Sequence, residues 1–124
     1  MSEPLSLTVA SPLSILIVED EAMIAMMLEQ YLDALGHRVS GSASSVDEAM
    51  ALIGKADVDV AILDCYLGDV EVWPIADILK ERGIPFILSS GGSATALPAN
   101  HASCPILQKP YTIAALAELL TTIS

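Results

Sequence analysis

The sequence predicts an α/β fold: a doubly wound five-stranded parallel sheet with helices on both faces. Two features of the 124 residues point there. Short apolar runs alternate with longer segments whose apolar residues recur every three or four positions. The runs are also continuous, with no polar–apolar alternation, which marks strands buried on both faces beneath crossover helices. Right-handed crossovers then restrict the topology to a doubly wound sheet. Ligands are expected beyond the carboxyl ends of its strands, where the strand order reverses.

Each element follows from its own residues. Ser14 to Val18 is a solid apolar run that ends at two acids. Glu21 to Leu35 is predicted helical from the spacing of Ile24, Met27, Leu28, Tyr31, Leu32 and Leu35, with Gly36 as its C-terminal cap. His37 to Ala43 reads as the second strand. Ser45, followed three residues later by Glu48, is a capping-box pattern for a helix running to about Lys55. Val58 to Leu63 is the third strand, broken only by Asp59. Pro74 suits the first turn of a helix that reaches about Arg82 and stops at Gly83. Pro85 to Ser89 is the fourth strand, after which Gly91, Gly92 and Ser93 loosen the chain. The helix due over residues 94–103 contains Pro98 and little periodicity, so it is expected to be short or distorted. Pro105 to Gln108 is the fifth strand and Ile113 to Thr122 the last helix. Residues 1–12 read as a flexible N-terminal tail and residues 13–124 as one domain, with no repeat or interdomain linker.

Composition narrows the function. An apolar fraction of 53% against 17% charged residues specifies a globular chain, long enough to build a core without staples. Sixteen acidic residues face only Arg38, Lys55, Lys80, Arg82 and Lys109, a net charge of −11. That balance repels nucleic-acid phosphates and anionic membrane surfaces, and favours a cation or a basic protein partner. Cys65 and Cys104 form no disulfide framework and read as free thiols in a reducing compartment. Met1 to Pro12 carries no Lys or Arg and no long apolar run, so no signal peptide is expected. No stretch approaches the ~20 apolar residues a membrane helix needs. The expected location is the cytoplasm.

The chemistry gathers at the strand ends. Glu19 and Asp20 end the first strand, Asp64 the third, Ser90 the fourth and Lys109 the fifth, so all lie toward one crevice. Two carboxylate charges ~4 Å apart repel by about 4 kcal/mol at an effective dielectric near 20. Such a crevice must take up protons or hold a cation. Oxygen ligands with an open side suit Mg²⁺, which keeps several waters and prefers carboxylates plus phosphate oxygens. Lys109 adds a fixed positive charge and Ser90 a hydroxyl, although Ser89 is a competing hydroxyl and strand alternation turns only one of the two toward the crevice. A carboxylate nucleophile, a metal, an ammonium and a hydroxyl together suit phosphoryl transfer, which relies on positioning and charge stabilisation.

The runs Ile15 to Glu21 (ILIVEDE), Ala61 to Asp64 (AILD), Pro85 to Gly91 (PFILSSG) and Leu107 to Tyr111 (LQKPY) resemble the receiver domains of bacterial two-component response regulators. The resemblance covers the whole chain after the tail. It implies a flavodoxin-like strand order, 2-1-3-4-5. It implies that Asp64 accepts phosphate from a sensor histidine kinase or phosphotransfer protein, and that Asp20 binds Mg²⁺ directly with Glu19 assisting. It further implies that Tyr66 lends its backbone carbonyl to the metal, that Ser90 hydrogen-bonds the phosphoryl group, that Lys109 pairs with a phosphoryl oxygen, and that the Lys109–Pro110 bond is cis. The output would pass through protein contacts with an unknown downstream protein, or the domain would serve as a phosphate relay or sink, with possible phosphorylation-dependent dimerisation. No appended output domain is expected. Such a protein is a signalling phosphoacceptor with slow autodephosphorylation, not a turnover enzyme. One departure matters: the family's aromatic switch position, three before the lysine, holds Ile106.

The same residues bear on other functions and on purely structural roles. An aspartyl phosphatase of the haloacid dehalogenase type would need a second Asp at position 66, which holds Tyr66. A phosphorylation-independent pseudo-receiver would lack the acids or the lysine, all of which are present. Asp20 could merely cap the following helix. Asp69 and Glu71 read as solvated loop acids, and His37 and His101 as surface or packing residues without metal-binding partners. Met23, Met26, Met27 and Met50 read as core filler, and Trp73 as packing at a helix start.

Overall fold

The structure is a computed structural model that describes residues 12–55, 57–67, 70–90, 105–108 and 111–123. The chain runs β1 (Ser14–Val18), α1 (Ala22–Ala34), β2 (Arg38–Ala43), α2 (Val46–Lys55), β3 (Val60–Asp64), β4 (Tyr66–Leu67), β5 (Val70–Glu71), α3 (Trp73–Glu81), β6 (Phe86–Ser90), β7 (Ile106–Gln108) and α4 (Ile113–Ile123). The main sheet is parallel, in the order β2-β1-β3-β6-β7. Setting aside the β4–β5 hairpin, this is the predicted order 2-1-3-4-5. The fourth helix expected over residues 94–103 lies outside the described residues, as do Met1 to Ser11, Asp69, His101 and Cys104.

The continuous apolar strands divide their side chains between two cores. Leu16, Val18, Ala61, Leu63 and Leu88 pack with Ala49 and Ile53 of α2 and Ile75, Ala76 and Leu79 of α3. The alternate residues, Ile15, Ile17, Ile62 and Ile87, pack with Leu28 and Leu32 of α1 and Leu116 and Leu120 of α4. Each strand thus serves both faces, which is why its sequence shows no polar alternation.

The helix boundaries follow the predicted signals. Gly36 and Gly83 adopt φ of 89° and 72°, the left-handed backbone that ends α1 and α3. Ser45 Oγ accepts the Glu48 amide at 3.2 Å, one half of the capping box. The other half is displaced by one residue: Glu48 Oε1 accepts the Ser44 amide at 2.8 Å and the Ser44 hydroxyl at 3.0 Å. At the far end of α2, Arg82 donates to the Ile53 carbonyl at 3.4 Å. Thr112 Oγ1 accepts the Ala115 amide at 3.1 Å and so caps α4.

Two sequence expectations are corrected. Met23 is 82% exposed and Met26 54% exposed, so neither fills the core; they lie on the helix face opposite the Leu28 and Leu32 stripe. Met27 and Met50 do pack against the two cores. The segment after Asp64 is not a plain loop. Tyr66 pairs antiparallel with Glu71 and Leu67 with Val70, and the Val72 amide closes the hairpin onto the Cys65 carbonyl at 3.3 Å. Glu71 is therefore an exposed strand residue. Trp73 opens α3 and packs on the core, as expected.

Candidate functional site

β1 and β3 are neighbours in register, with Val18 opposite Leu63. The residues that follow these two strands are therefore brought to the same edge. Glu19, Asp20 and Asp64 each present a carboxylate oxygen such that the three oxygens lie within 4.8 Å of one another. Glu19 is buried, Asp64 half-buried and Asp20 exposed. The cluster thus grades from the sheet edge out to water.

Local hydrogen bonding orients these acids. The Glu19 amide donates to the Ala43 carbonyl of β2 at 2.9 Å, extending the ladder one residue past β1. Glu19 Oε2 accepts the amide of Glu21 at 3.1 Å. Glu21 is the N-cap of α1 and makes no side-chain capping bond. The N-cap position itself is thus held by Glu21 and not by Asp20. An open groove beside the acids is lined by Ala22, Ala25 and Met26 of α1 and by Ser42, Ser44 and Glu48 across from them.

The donor set fits a hard divalent cation. All three candidate ligands are carboxylate oxygens, they are too close to be comfortable as bare anions, and one side is open to water. Glu19, Asp20 and Asp64 would hold such an ion, which would neutralise the acids and offer open coordination positions to a phosphate oxygen.

The remaining sequence-predicted residues stand as follows. Tyr66 opens β4, two residues beyond Asp64. Ser90 ends β6, paired with Gln108 of β7. Lys109 and Pro110 lie outside the described residues. The competing hydroxyl, Ser89, is accounted for: it is buried and its Oγ hydrogen-bonds the Tyr111 hydroxyl. Sequence reasoning missed this bond, because the two residues are 22 apart and neither element's periodicity reports on the other. Ile106, at the departing position of β7, is 43% exposed.

Fold and site together define a class. A family model described as the response regulator receiver domain matches residues 15–121, and the chain belongs to that family. Among solved structures, SdrG of Sphingomonas melonis superimposes with a TM-score of 0.83 at 38% identity, covering 93% of this chain and 98% of that one. A BeF3-activated conformation of SdrG superimposes with a TM-score of 0.78. The response regulator PhyR from Brucella abortus gives 0.77 at 30% identity, over 90% of this chain and 47% of PhyR. Among curated proteins, the transcriptional regulatory protein DcuR of Escherichia coli is 24% identical over 117 residues, 88% of this chain and 49% of DcuR. The chain spans about half the length of such curated relatives or less. Among the described residues, no helix is long and apolar enough to cross a membrane.

Proposed function

We propose that this receiver domain accepts a phosphoryl group on Asp64, with Mg²⁺ held by Asp20, Asp64 and the backbone carbonyl of Tyr66 and with Glu19 assisting. The observation that carries this reading is the convergence of Glu19, Asp20 and Asp64, each with an oxygen within 4.8 Å of the others. A carboxylate oxygen of Asp64 attacks the phosphorus of a phosphohistidine. The P–N bond breaks, its electron pair returns to the imidazole, and the product is an aspartyl acyl phosphate. Lys109 balances the charge on the phosphoryl oxygens and Ser90 donates a hydrogen bond to them. Water later hydrolyses the acyl phosphate, returning Asp64 and inorganic phosphate.

The donor is a sensor histidine kinase or a phosphotransfer protein. Output passes to a downstream protein, or the domain relays or drains phosphate, in the cytoplasm and without contact with nucleic acid or membrane. Phosphorylation-dependent dimerisation is part of this reading, as is a flexible tail over residues 1–12 ahead of the domain at 13–124. Support comes from the net charge of −11 and from the BeF3-activated conformation of SdrG, since BeF3⁻ bound to a carboxylate oxygen takes the tetrahedral shape of a phosphoryl group.

The test is intact-protein mass after incubation with acetyl phosphate and Mg²⁺. One phosphoryl adduct is expected, requiring Mg²⁺ and absent from the Asp64→Asn variant. An adduct that persists in that variant, or none in the wild-type protein, overturns the reading.

A further inference from the structure

If Mg²⁺ is held as proposed, one of its ligands is a backbone atom, the Tyr66 carbonyl, and a backbone atom is aimed only by the chain around it. The β4–β5 hairpin supplies that chain. Tyr66 pairs with Glu71 and Leu67 with Val70, and one step before them the Val72 amide donates to the Cys65 carbonyl at 3.3 Å. Along an antiparallel ladder, hydrogen-bonded pairs alternate with non-bonded pairs. Cys65 and Val72 form a bonded pair, so Tyr66 and Glu71 form a non-bonded one, and Leu67 and Val70 the next bonded one. Residues of a non-bonded pair turn their amides and carbonyls away from the partner strand. The hairpin thus directs the Tyr66 carbonyl outward and leaves it outside the ladder. Its neighbours are tied down on both sides. The Cys65 amide donates to the Ser89 carbonyl of β6 at 3.3 Å. Leu67 is 6% exposed and belongs to the core between the sheet and helices α2 and α3. Across the hairpin, Val72 is fully buried, and its carbonyl accepts the amides of Ile75 at 2.9 Å and Ala76 at 3.1 Å in the first turn of α3.

We propose that the β4–β5 hairpin is the positioning element of the cation site and the source of its preference for Mg²⁺ over a larger ion, a proposal that rests on the Mg²⁺ site of the phosphoacceptor reading above. Asp20 and Asp64 offer carboxylates on side chains that rotate, and so adjust to ions of different size. A carbonyl held between two anchored residues does not adjust. Mg²⁺ demands near-octahedral ligands at about 2.0–2.1 Å, whereas Ca²⁺ takes ligands at about 2.3–2.6 Å in flexible arrangements. One rigid ligand among movable ones therefore discriminates between the two ions by geometry. The positioning residues are Leu67, which anchors β4 in the core, and Val70, whose amide closes the bonded pair with Leu67. Val70 is 53% exposed, so it acts here through its backbone more than through its side chain.

Dissociation constants for Mg²⁺ and Ca²⁺, read in the full chain from the rise of the thermal midpoint with ion concentration, test this. Val70→Pro removes the amide that closes the hairpin, and Val70→Thr keeps it as the control. In Val70→Pro the Mg²⁺ constant should rise by about 10–100-fold, the usual cost of losing a group that orients a metal ligand. The Ca²⁺ constant should rise far less, and Val70→Thr should match the wild-type protein for both ions. An unchanged Mg²⁺ constant in Val70→Pro overturns the proposal. Equal losses for the two ions also overturn it, because a merely structural hairpin would weaken both alike. Where Val70→Pro does not fold, Leu67→Ala releases β4 from the core and is held to the same outcomes. Wild-type protein that binds both ions equally overturns the hairpin proposal alone. Wild-type protein that binds neither overturns the cation site itself, and the hairpin's role with it.

Discussion

At the scale of single residues, the polar groups at the sheet's opposite, amino-terminal end do structural work that contrasts with the acids at the carboxyl end. The Leu13 amide donates to His37 Nδ1 at 3.0 Å, and the Ser14 amide donates to Asp59 Oδ2 at 2.9 Å. Arg38 reaches Ser14 Oγ at 2.9 Å. Asp59, the one charge in the third apolar run, thus satisfies a strand-end donor that no neighbouring strand reaches. Asp59→Ala should cost about 1–3 kcal/mol, the penalty for a buried donor left bare, read by urea denaturation. His37 can accept that bond only while Nδ1 carries no proton, and burial holds its pKa below the usual 6.5. Its contribution is therefore complete above pH 6.5 and declines as pH falls from there toward the lower folded-state value, because the unfolded chain takes up the proton first. Denaturation midpoints measured from pH 8 to pH 5 should fall below about 6.5. His37→Gln, which keeps an acceptor and cannot titrate, should flatten that part of the profile.

At the scale of elements, two glycines of similar exposure should respond in opposite ways. Gly83 has φ of +72° with open space where a Cβ would stand, so Gly83→Ala forces a side chain into left-handed backbone and should cost about 1–2 kcal/mol. Gly54 lies within α2, also with open space, and Gly54→Ala should stabilise by about 0.5–1 kcal/mol because alanine loses less backbone entropy in a helix. Thermal midpoints of the two variants decide both signs. The same local signals made these helix ends legible in the sequence: Gly36, Gly83, Ser45 and Pro74 each act within a turn of where they stand. The central strands β1, β3 and β6 were legible for a related reason, since burial on both faces leaves an apolar run. The edge strand β2 (RVSGSA) is mostly exposed or half-buried and carries no such run. The β4–β5 hairpin was not legible, because two residues per strand are too few to show a period. The exposure of Met23 and Met26 follows from position and not from residue type, for they fall off the stripe that Ile24, Leu28 and Leu32 define. The three acids were legible because strand ends converge in a parallel sheet. The Ser89–Tyr111 bond was not, because only the tertiary fold brings those hydroxyls together.

At the scale of the whole molecule, the fold's stability and its acidic edge oppose each other. A chain of net charge −11 places three carboxylates within 4.8 Å at the ends of β1 and β3, the centre of its sheet. Like charges so placed repel in the folded state wherever no cation offsets them, and the unfolded chain separates residues 19, 20 and 64. Asp64→Asn should therefore stabilise the metal-free protein, by about 1–2 kcal/mol, well below the full Coulomb figure because Asp20 faces water. Mg²⁺ should stabilise the wild-type protein by mass action, about 2.7 kcal/mol at one hundred times its dissociation constant. The two effects should not add, since the variant has lost both the repulsion and a ligand. Thermal midpoints of wild-type and Asp64→Asn protein, each with EDTA and with Mg²⁺, separate the cases. A gain from Mg²⁺ in the wild type that largely disappears in the variant means the carboxylates bind the ion as a unit. Equal gains in both would mean that Mg²⁺ merely screens the surface, and that the repulsion at the strand ends is tolerated for some purpose other than holding a cation.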